Sequence, residues 1–297
     1  MFNCLRRREK EKKSVALVLS SGGARGLAHI GAIDQLLSMD YQIHSVAGTS
    51  MGALVGGMFA ANRLEDFKRW METVDRKKVF SLMDFSLSLN HLMKGDRVIN
   101  AMMEVVPDVN IEDLPIPYCA VATDVVSGKE VVFNKGSLYE AIRASISLPL
   151  FFDPVKNGDR ILVDGGLVNP LPLDRVKRVK GDLLVAVNVS GRDYQGQAEL
   201  KRMIRAQQEK STVKSLINKI LPDDADLNYY SLLNRSISIM INNTARLKLK
   251  MTPPDVLVDM PMNRYDTFDF DKYDRLVAIG RKNTSISMNK YLTGKRT

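Results

Sequence analysis

The sequence predicts an α/β fold of three layers, α/β/α, in which helices cover both faces of a mainly parallel sheet. A short apolar strand, a glycine-rich turn and a helical pattern follow one another at residues 15–37 and again at residues 45–61. A strand that continues through a helix into a neighbouring strand needs a crossover, which leaves the strands parallel and the helices on the sheet faces. Composition agrees, because 45% hydrophobic and 26% charged residues are typical of globular proteins and exclude disordered or collagen-like chains.

The remaining elements follow from apolar runs and helical periodicity. Strands are predicted at residues 118–125, 130–133, 161–163, 183–189 and 255–260. Helices are predicted at residues 64–79, 96–105, 137–145, 195–220, 225–246 and 273–291. No internal repeat or shift in composition indicates a second core, so we expect a single domain over residues 14–292.

A basic tail at residues 1–13 precedes this domain. It contains six Lys or Arg and two Glu, in a chain of formal net charge +9. The tail is either a solvated chain end or a segment attracted to anionic lipid, at about 1 kcal/mol per basic residue held near a membrane. The other basic residues are interspersed with acids and accompany no nucleic-acid-binding motif, so nucleic acid is not expected as a partner.

Targeting signals are also missing from the sequence. It has neither the apolar segment of a secretory signal nor an uninterrupted apolar run of roughly 18 residues or more. We therefore expect a cytoplasmic protein, with peripheral contact to an anionic membrane as the further option.

One turn has a pattern that carries chemistry. Gly48-Thr49-Ser50-Met51-Gly52 fits G-x-S-x-G between a predicted strand and a predicted helix. In such a turn the serine backbone is strained, the glycines two residues away on each side avoid a collision, and the serine hydroxyl faces the substrate. The alternative is a glycine-rich turn that only lets a helix pack closely on the sheet.

A nucleophilic serine needs a base. Of three histidines, His29 and His44 precede Ser50 and only His91 follows it, so a Ser-His-Asp triad in the usual hydrolase order is not expected. The candidate is Asp164, which ends an apolar run before Gly165 and Gly166, and which we expect at the carboxyl end of a strand. A simple Asp-Gly turn is the alternative. Two cysteines without a C-x-x-C or Cys/His cluster make a structural metal site unexpected.

The first glycine-rich turn of the chain, Gly22-Gly23-Ala24-Arg25-Gly26, follows the first predicted strand. It fits neither of the usual nucleotide-binding patterns. Free backbone N–H groups at such a turn can instead bind an oxyanion. The Arg25 side chain would then contact an acidic head group or hold the loop.

These three segments together resemble the signatures of the patatin-like phospholipases, in the same order. Residues 144–152 and 168–172, on either side of Asp164, resemble that family as well. The resemblance implies a patatin-like fold and a Ser-Asp dyad with Ser50 as nucleophile and Asp164 as base. It further implies an oxyanion hole from the N–H groups of Gly22, Gly23, Ala24 and Arg25, and no metal or organic cofactor.

The function that the resemblance implies is hydrolysis of acyl esters of lipids, of the phospholipase A or lysophospholipase type. Two other functions stay open on the sequence alone. The chain could be a serine esterase or thioesterase of small soluble esters on the same fold, or a non-catalytic lipid-binding module.

Overall fold

In the computed structural model, eight strands form one mixed sheet among the residues that the structure describes, which are 13–74, 96–149, 151–191, 202, 229–261, 265, 267 and 269–294. The strands are β1 (Lys13–Leu19), β2 (Tyr41–Thr49), β3 (Tyr118–Asp124), β4 (Lys129–Phe133), β5 (Val155–Asn157), β6 (Arg160–Asp164), β7 (Leu183–Gly191) and β8 (Val256–Pro261). Followed from one hydrogen-bonded neighbour to the next, the strands connect as β5-β6-β3-β2-β1-β7-β8, and β4 also pairs with β3.

The α-helices, in chain order, are α1 (Ala28–Ser38), α2 (Met51–Ala60), α3 (Leu64–Glu72), α4 (Asp96–Met103), α5 (Leu138–Ser145), α6 (Tyr229–Met251) and α7 (Tyr273–Leu292). Short 3₁₀ helices follow β1, at Gly23–Leu27, and β6, at Gly165–Leu167. No helix among the described residues is both long enough and apolar enough to cross a bilayer.

The central strands separate two apolar layers, which confirms the predicted three-layer fold. The neighbouring strands β3, β2, β1, β7 and β8 all run parallel. Val15, Leu17 and Leu19 of β1 pack in one cluster with residues of α1 and α2. The alternating residues Ala16 and Val18 pack in the other, with Ala245 of α6. Because both faces are covered, a parallel strand of this kind is apolar at every position.

Asp164 is the last residue of β6, a strand that does not belong to this parallel set. β6 is antiparallel to β3 and occupies the same edge of β3 as β2, because β4 pairs along the opposite edge. Val121 pairs with Thr49 of β2, and the next residue, Ala122, pairs with Asp164 of β6. The carboxyl ends of β2 and β6 therefore meet end to end.

The other predicted strands and helices are confirmed where the structure describes them, with some changes in extent. β2 begins at Tyr41 rather than at residue 45, and Lys13, expected in the tail, is the first residue of β1. The short strand β5 was not predicted, since three residues give too little pattern. Residues 1–12, the end of the helix predicted at 64–79, and the helix predicted at 195–220 except for residue 202 lie outside the described residues.

Helices α1 and α7 cross with their backbones in contact. A Cβ atom at Gly31 of α1 would lie 1.9 Å from the carbonyl oxygen of Val277, and one at Gly280 of α7 would lie 1.9 Å from that of Ala28. Neither position has room for a methyl group. The two glycines thus allow the C-terminal helix to pack on the helix that follows the first glycine-rich turn.

We expect Gly31→Ala to lower the free energy of unfolding by about 2 kcal/mol or more, because the added methyl group collides with backbone that cannot rotate away. Urea unfolding measures this. Gly57→Ala is the matched control, since a Cβ there would meet only side-chain atoms, the nearest at 3.0 Å, and should change stability by less than about 1 kcal/mol. Equal effects of the two variants would contradict the close crossing.

Candidate active site

Ser50 occupies a strained turn between β2 and α2. Its φ of 56° and ψ of −122° are unusual for a residue with a side chain. A Cβ at Gly48 would lie 2.3 Å from the carbonyl oxygen of Gly52, and a Cβ at Gly52 would lie 2.3 Å from that of Leu19. The two flanking glycines are therefore required by contact with backbone, as the G-x-S-x-G pattern predicts.

The hydroxyl of Ser50 donates a hydrogen bond to Oδ2 of Asp164, and the surrounding protein almost completely buries both side chains. Oδ1 of Asp164 accepts a hydrogen bond from the N–H of Gly166 at 2.7 Å. Burial raises the pKa of Asp164 to about 6, although the hydrogen bonds from Ser50 and Gly166 oppose this rise. Asp164 is therefore ionised at neutral pH and is a stronger base than a carboxylate on the surface.

The backbone of Asp164 is held on both sides. Its N–H donates to the carbonyl oxygen of Ser147 at 2.9 Å, and its carbonyl oxygen accepts from the Thr123 hydroxyl at 2.9 Å. A Cβ at the next residue, Gly165, would lie 2.1 Å from the carbonyl oxygen of Val121 in β3. The glycine after Asp164 thus lets the chain leave β6 directly against β3.

Ser145, at the end of α5, holds the backbone of the turn that carries Ser50. Its hydroxyl accepts a hydrogen bond from the N–H of Ser50 at 2.9 Å and donates one to the carbonyl oxygen of Val121 at 2.6 Å. The side chain is fully buried. Sequence reasoning noted the segment 144–152 only for its resemblance and assigned no role to this serine, since nothing local indicates a partner 95 residues away.

Arg143 braces the chain segment that follows Ser145. Its guanidinium donates to Oδ1 of Asp96 at 2.8 Å, to the Ser147 hydroxyl at 2.6 Å and to the carbonyl oxygen of Asp153 at 3.2 Å. The carbonyl oxygen of Ser147 accepts the N–H of Asp164. By holding Ser147, the buried Arg143 therefore helps to fix the backbone that carries the carboxylate.

The first glycine-rich turn lies beside Ser50, and its N–H groups differ in their partners. Gly23 has a φ of 56°, and Nε of Arg25 donates to the carbonyl oxygen of Gly22 at 3.0 Å, so that this side chain holds the loop. The N–H of Ala24 donates to the carbonyl oxygen of Thr267 at 2.8 Å, so it is not available to a substrate in this conformation. This differs from the expectation that Ala24 is an oxyanion donor.

Neither His29 nor His44 contacts Ser50. His29 is fully buried, and its Nε2 bonds to the carbonyl oxygen of Ser20 at 2.9 Å. Burial lowers the pKa of His29 to about 4, so the ring is neutral. His44 pairs with Asp182 at 2.8 Å near the amino ends of the parallel strands. His91 lies outside the described residues.

A cleft opens above the serine and encloses about 1150 Å³, including its solvent-filled mouth. The polar lining is grouped mainly around the two glycine-rich turns and comprises Ser21, Gly22, Gly23, Arg25, Ser50, Asp164, Ser190 and Thr267, and it also includes Ser238 of α6. The rest is mostly apolar and comes chiefly from Met51, Leu54, Trp70, Met71, Val74, Val98, Met102, Ile146, Leu148, Phe152, Ile237, Ile241 and Phe270. An apolar cleft with polar groups clustered in one region suits a ligand with a hydrocarbon chain and one polar reacting group.

Comparison with known proteins finds similar sequences over most of the chain. The family model described as patatin-like phospholipase matches residues 17–177. An uncharacterized NTE family protein of Mycobacterium tuberculosis is 33% identical over an alignment of 330 positions, which covers 93% of this chain and 92% of that protein. The rat patatin-like phospholipase domain-containing protein 7 is 27% identical over 275 residues, which cover 90% of this chain but only 20% of that protein.

Among solved structures, VipD from Legionella pneumophila aligns with a TM-score of 0.48 at 15% sequence identity. That alignment covers 95% of this chain and 67% of the VipD chain.

We expect Ser145→Ala to slow the reaction of Ser50 with a fluorophosphonate probe by about 10- to 100-fold, because the variant leaves two buried backbone groups unpaired beside the serine. The matched control is Ser45→Ala in β2, the strand that leads to Ser50. It removes a buried hydroxyl that donates to the carbonyl oxygen of Lys177 at 2.5 Å. It should lower stability without slowing the probe. Equal rates in the two variants would mean that Ser145 has no role in placing Ser50.

Asp164→Asn should change how stability depends on pH. Because burial raises the folded-state pKa to about 6, the folded protein binds a proton that the unfolded chain, with a pKa of about 3.9, has lost. Wild-type stability is therefore fully present below about pH 4 and falls as the pH rises through about 6. The variant has no such loss and should gain on wild type by on the order of 2 kcal/mol between about pH 4 and 7. Urea unfolding across this range tests it, and a constant difference would contradict the buried charge.

Proposed function

Because the chain belongs to the patatin-like phospholipase family, we propose that it is a lipid acyl hydrolase in which Ser50 is the nucleophile and Asp164 the base. One observation carries the proposal. The only described side chain that accepts the Ser50 proton is the buried carboxylate of Asp164, and the hydroxyl lies in a largely apolar cleft. Direct contact between a hydroxyl and an oriented base is the arrangement that nucleophilic catalysis by serine needs.

In the first half of the reaction, Ser50 Oγ attacks the carbonyl carbon of the ester while its proton passes to Oδ2 of Asp164. The tetrahedral intermediate that forms carries a negative charge on the former carbonyl oxygen. When it collapses, the bond to the leaving alcohol breaks and Asp164 returns the proton to that oxygen. The product of this half is an acyl ester of Ser50.

In the second half, a water molecule takes the place of the alcohol. Asp164 accepts its proton as the water oxygen attacks the acyl carbon, and the collapse of the second intermediate returns the proton to Ser50 Oγ. The fatty acid leaves and the enzyme is restored. Asp164 must be ionised at the start of each half, which a pKa of about 6 allows at neutral pH.

The oxyanion is assigned to the N–H groups of Gly22 and Gly23. No residue in the described part of the chain accepts a hydrogen bond from either N–H, and both glycines line the cleft beside Ser50. The expected set also included Ala24 and Arg25. The N–H of Ala24 is bonded to Thr267. The N–H of Arg25 stays a predicted donor, and the Arg25 side chain braces the loop through the carbonyl oxygen of Gly22. Fixed donors of this kind stabilise charge that develops in the transition state.

The lining of the cleft favours an acyl ester with a long hydrocarbon chain. Leu54, Met71 and Met102 are almost fully buried and line it together with Trp70. Burying an acyl chain against such side chains is worth about 0.8 kcal/mol per methylene group. A small soluble ester would leave most of this surface unused, so a lipid is the substrate that the site fits.

The test is hydrolysis of p-nitrophenyl esters from short to long acyl chains by wild type, Ser50→Ala and Asp164→Asn. We expect kcat/KM to rise with chain length, and each variant to lose on the order of 10³-fold or more, since the two residues act as one unit. Circular dichroism confirms that the variants are folded.

Three outcomes would contradict the proposal. Full activity of Ser50→Ala would remove the nucleophile from the mechanism. A preference for the shortest esters would favour the small-ester hydrolase. A wild type that is inert on both esters and phospholipid vesicles would favour a lipid-binding module.

A further inference from the structure

The turn between β3 and β4 presents two valines at the carboxyl ends of the parallel strands, where β1, β2, β3 and β7 end and where the cleft opens. Val125 is 49% exposed and Val126 is 65% exposed. Ile161, at the start of β6, is 36% exposed beside them, and its carbonyl oxygen accepts the N–H of Val125 at 2.9 Å. These three side chains form an apolar tip.

The N–H donors and the serine hydroxyl of this turn are paired within the protein, chiefly with Asp124. Its side chain accepts from the N–H of Val126 at 3.1 Å, from that of Ile161 at 3.3 Å and from the Ser127 hydroxyl at 2.6 Å. Its carbonyl oxygen accepts from the N–H of Gly128 at 2.8 Å. Because its N–H donors are already paired, this turn loses no hydrogen bonds from them to water when its two valines enter a membrane interface.

Basic side chains flank the apolar tip. Lys129 lies opposite Asp124 on β4, Arg160 directly precedes Ile161, and Lys156 lies in the paired strand β5. All three are exposed, against one exposed acid, Asp159, in the β5–β6 turn. In the described residues no carboxylate forms an ion pair with any of the three cations. The tip therefore combines apolar surface with a net positive charge.

A second apolar element lies at the mouth of the cleft. On α6, Ile239 is 54% exposed and Met240 is 59% exposed, while Ile237 and Ile241 of the same helix line the cleft. The helix thus has one side on the cleft and exposed apolar side chains next to it. Together with the apolar tip and its three cations, Ile239 and Met240 make up what we call the docking face.

We propose that the docking face binds the surface of an anionic phospholipid bilayer, with Val125 and Val126 in the interface and Lys129, Lys156 and Arg160 on the head groups. The choice of occupant follows from three features: charge complementary to anionic lipid, a braced turn without unpaired N–H donors, and a position at the carboxyl ends of the parallel strands, where the cleft also opens. The inference rests on the proposed function only in that a docked lipid surface would supply the substrate.

This face is distinct from the basic tail of residues 1–13. β1 begins at Lys13 at the amino ends of the parallel strands, where β2 also begins and where β7 follows Val179 and Lys180. The two sources of membrane affinity can therefore be separated by experiment.

The experiment measures cosedimentation with vesicles of phosphatidylcholine mixed with phosphatidylglycerol and with vesicles of phosphatidylcholine alone. One variant combines Val125→Ser with Val126→Ser, and another combines Lys129→Glu with Arg160→Glu. We call these two the hairpin variants. Matched controls at the amino ends of the parallel strands are Val179→Ser, where the valine is 46% exposed, and Lys180→Glu. Each protein is also assayed on a dissolved short-chain p-nitrophenyl ester, which needs no lipid surface.

We expect the valine pair to weaken binding to the mixed vesicles by roughly tenfold, through lost apolar burial. The charge-reversed pair should weaken it by roughly tenfold or more and remove the preference for anionic vesicles. The control variants should bind like wild type, and hydrolysis of the dissolved ester should be unchanged in all four.

Several results would overturn the docking face. These are wild-type binding to neither vesicle, unchanged binding by the hairpin variants, equal losses in the controls, or loss of binding only when residues 1–12 are deleted. A change in oligomeric state of the hairpin variants without lipid would identify a second copy as the occupant. If wild type hydrolyses no ester while the hairpin variants still lose vesicle binding, the proposed function fails and the docking face stands.

Discussion

The hydrogen bond from Ser50 to Asp164 exists because β2 and β6 end against each other on one edge of β3. Adjacent residues of β3, Val121 and Ala122, pair with Thr49 and Asp164. The strand therefore sets the spacing between the hydroxyl that follows Thr49 and the carboxylate. The same carbonyl of Val121 also accepts from Ser145, which holds the N–H of Ser50. The ends of two strands therefore position the hydroxyl and the carboxylate, and the proposed catalysis requires such placement to within a fraction of an ångström.

Burial of the carboxylate has opposite effects on stability and on chemistry. Removing Asp164 from water disfavours its charged form, and two hydrogen bonds to its oxygens only partly compensate. The resulting pKa of about 6 makes it a stronger base than an exposed aspartate while leaving it ionised at neutral pH. The strained backbone of Ser50 is a second cost of the same kind. Both are sustained by the packed sheet around them.

The C-terminal part of the chain belongs to the site as much as the motifs do. The family model ends at residue 177, yet the carbonyl of Thr267 holds the N–H of Ala24, and Ile237, Ile241 and Phe270 line the cleft. Helix α7 packs on α1, which follows the first glycine-rich turn. The loop that is assigned to the oxyanion is thus fixed from both ends of the chain.

The sequence by itself determined the three layers, most of the strands and helices, and the short motifs around Ser50 and Gly22, because these depend on local apolar periodicity and on steric limits within a few residues. The clash that requires Gly48 and Gly52 is of this local kind. Only the tertiary structure decided that β6 runs antiparallel, that Ser145 holds the backbone of Ser50 and that Ala24 is already bonded. Each of these depends on a contact between segments far apart in the chain, such as the 114 residues between Ser50 and Asp164, and no local pattern records which distant backbone will lie opposite.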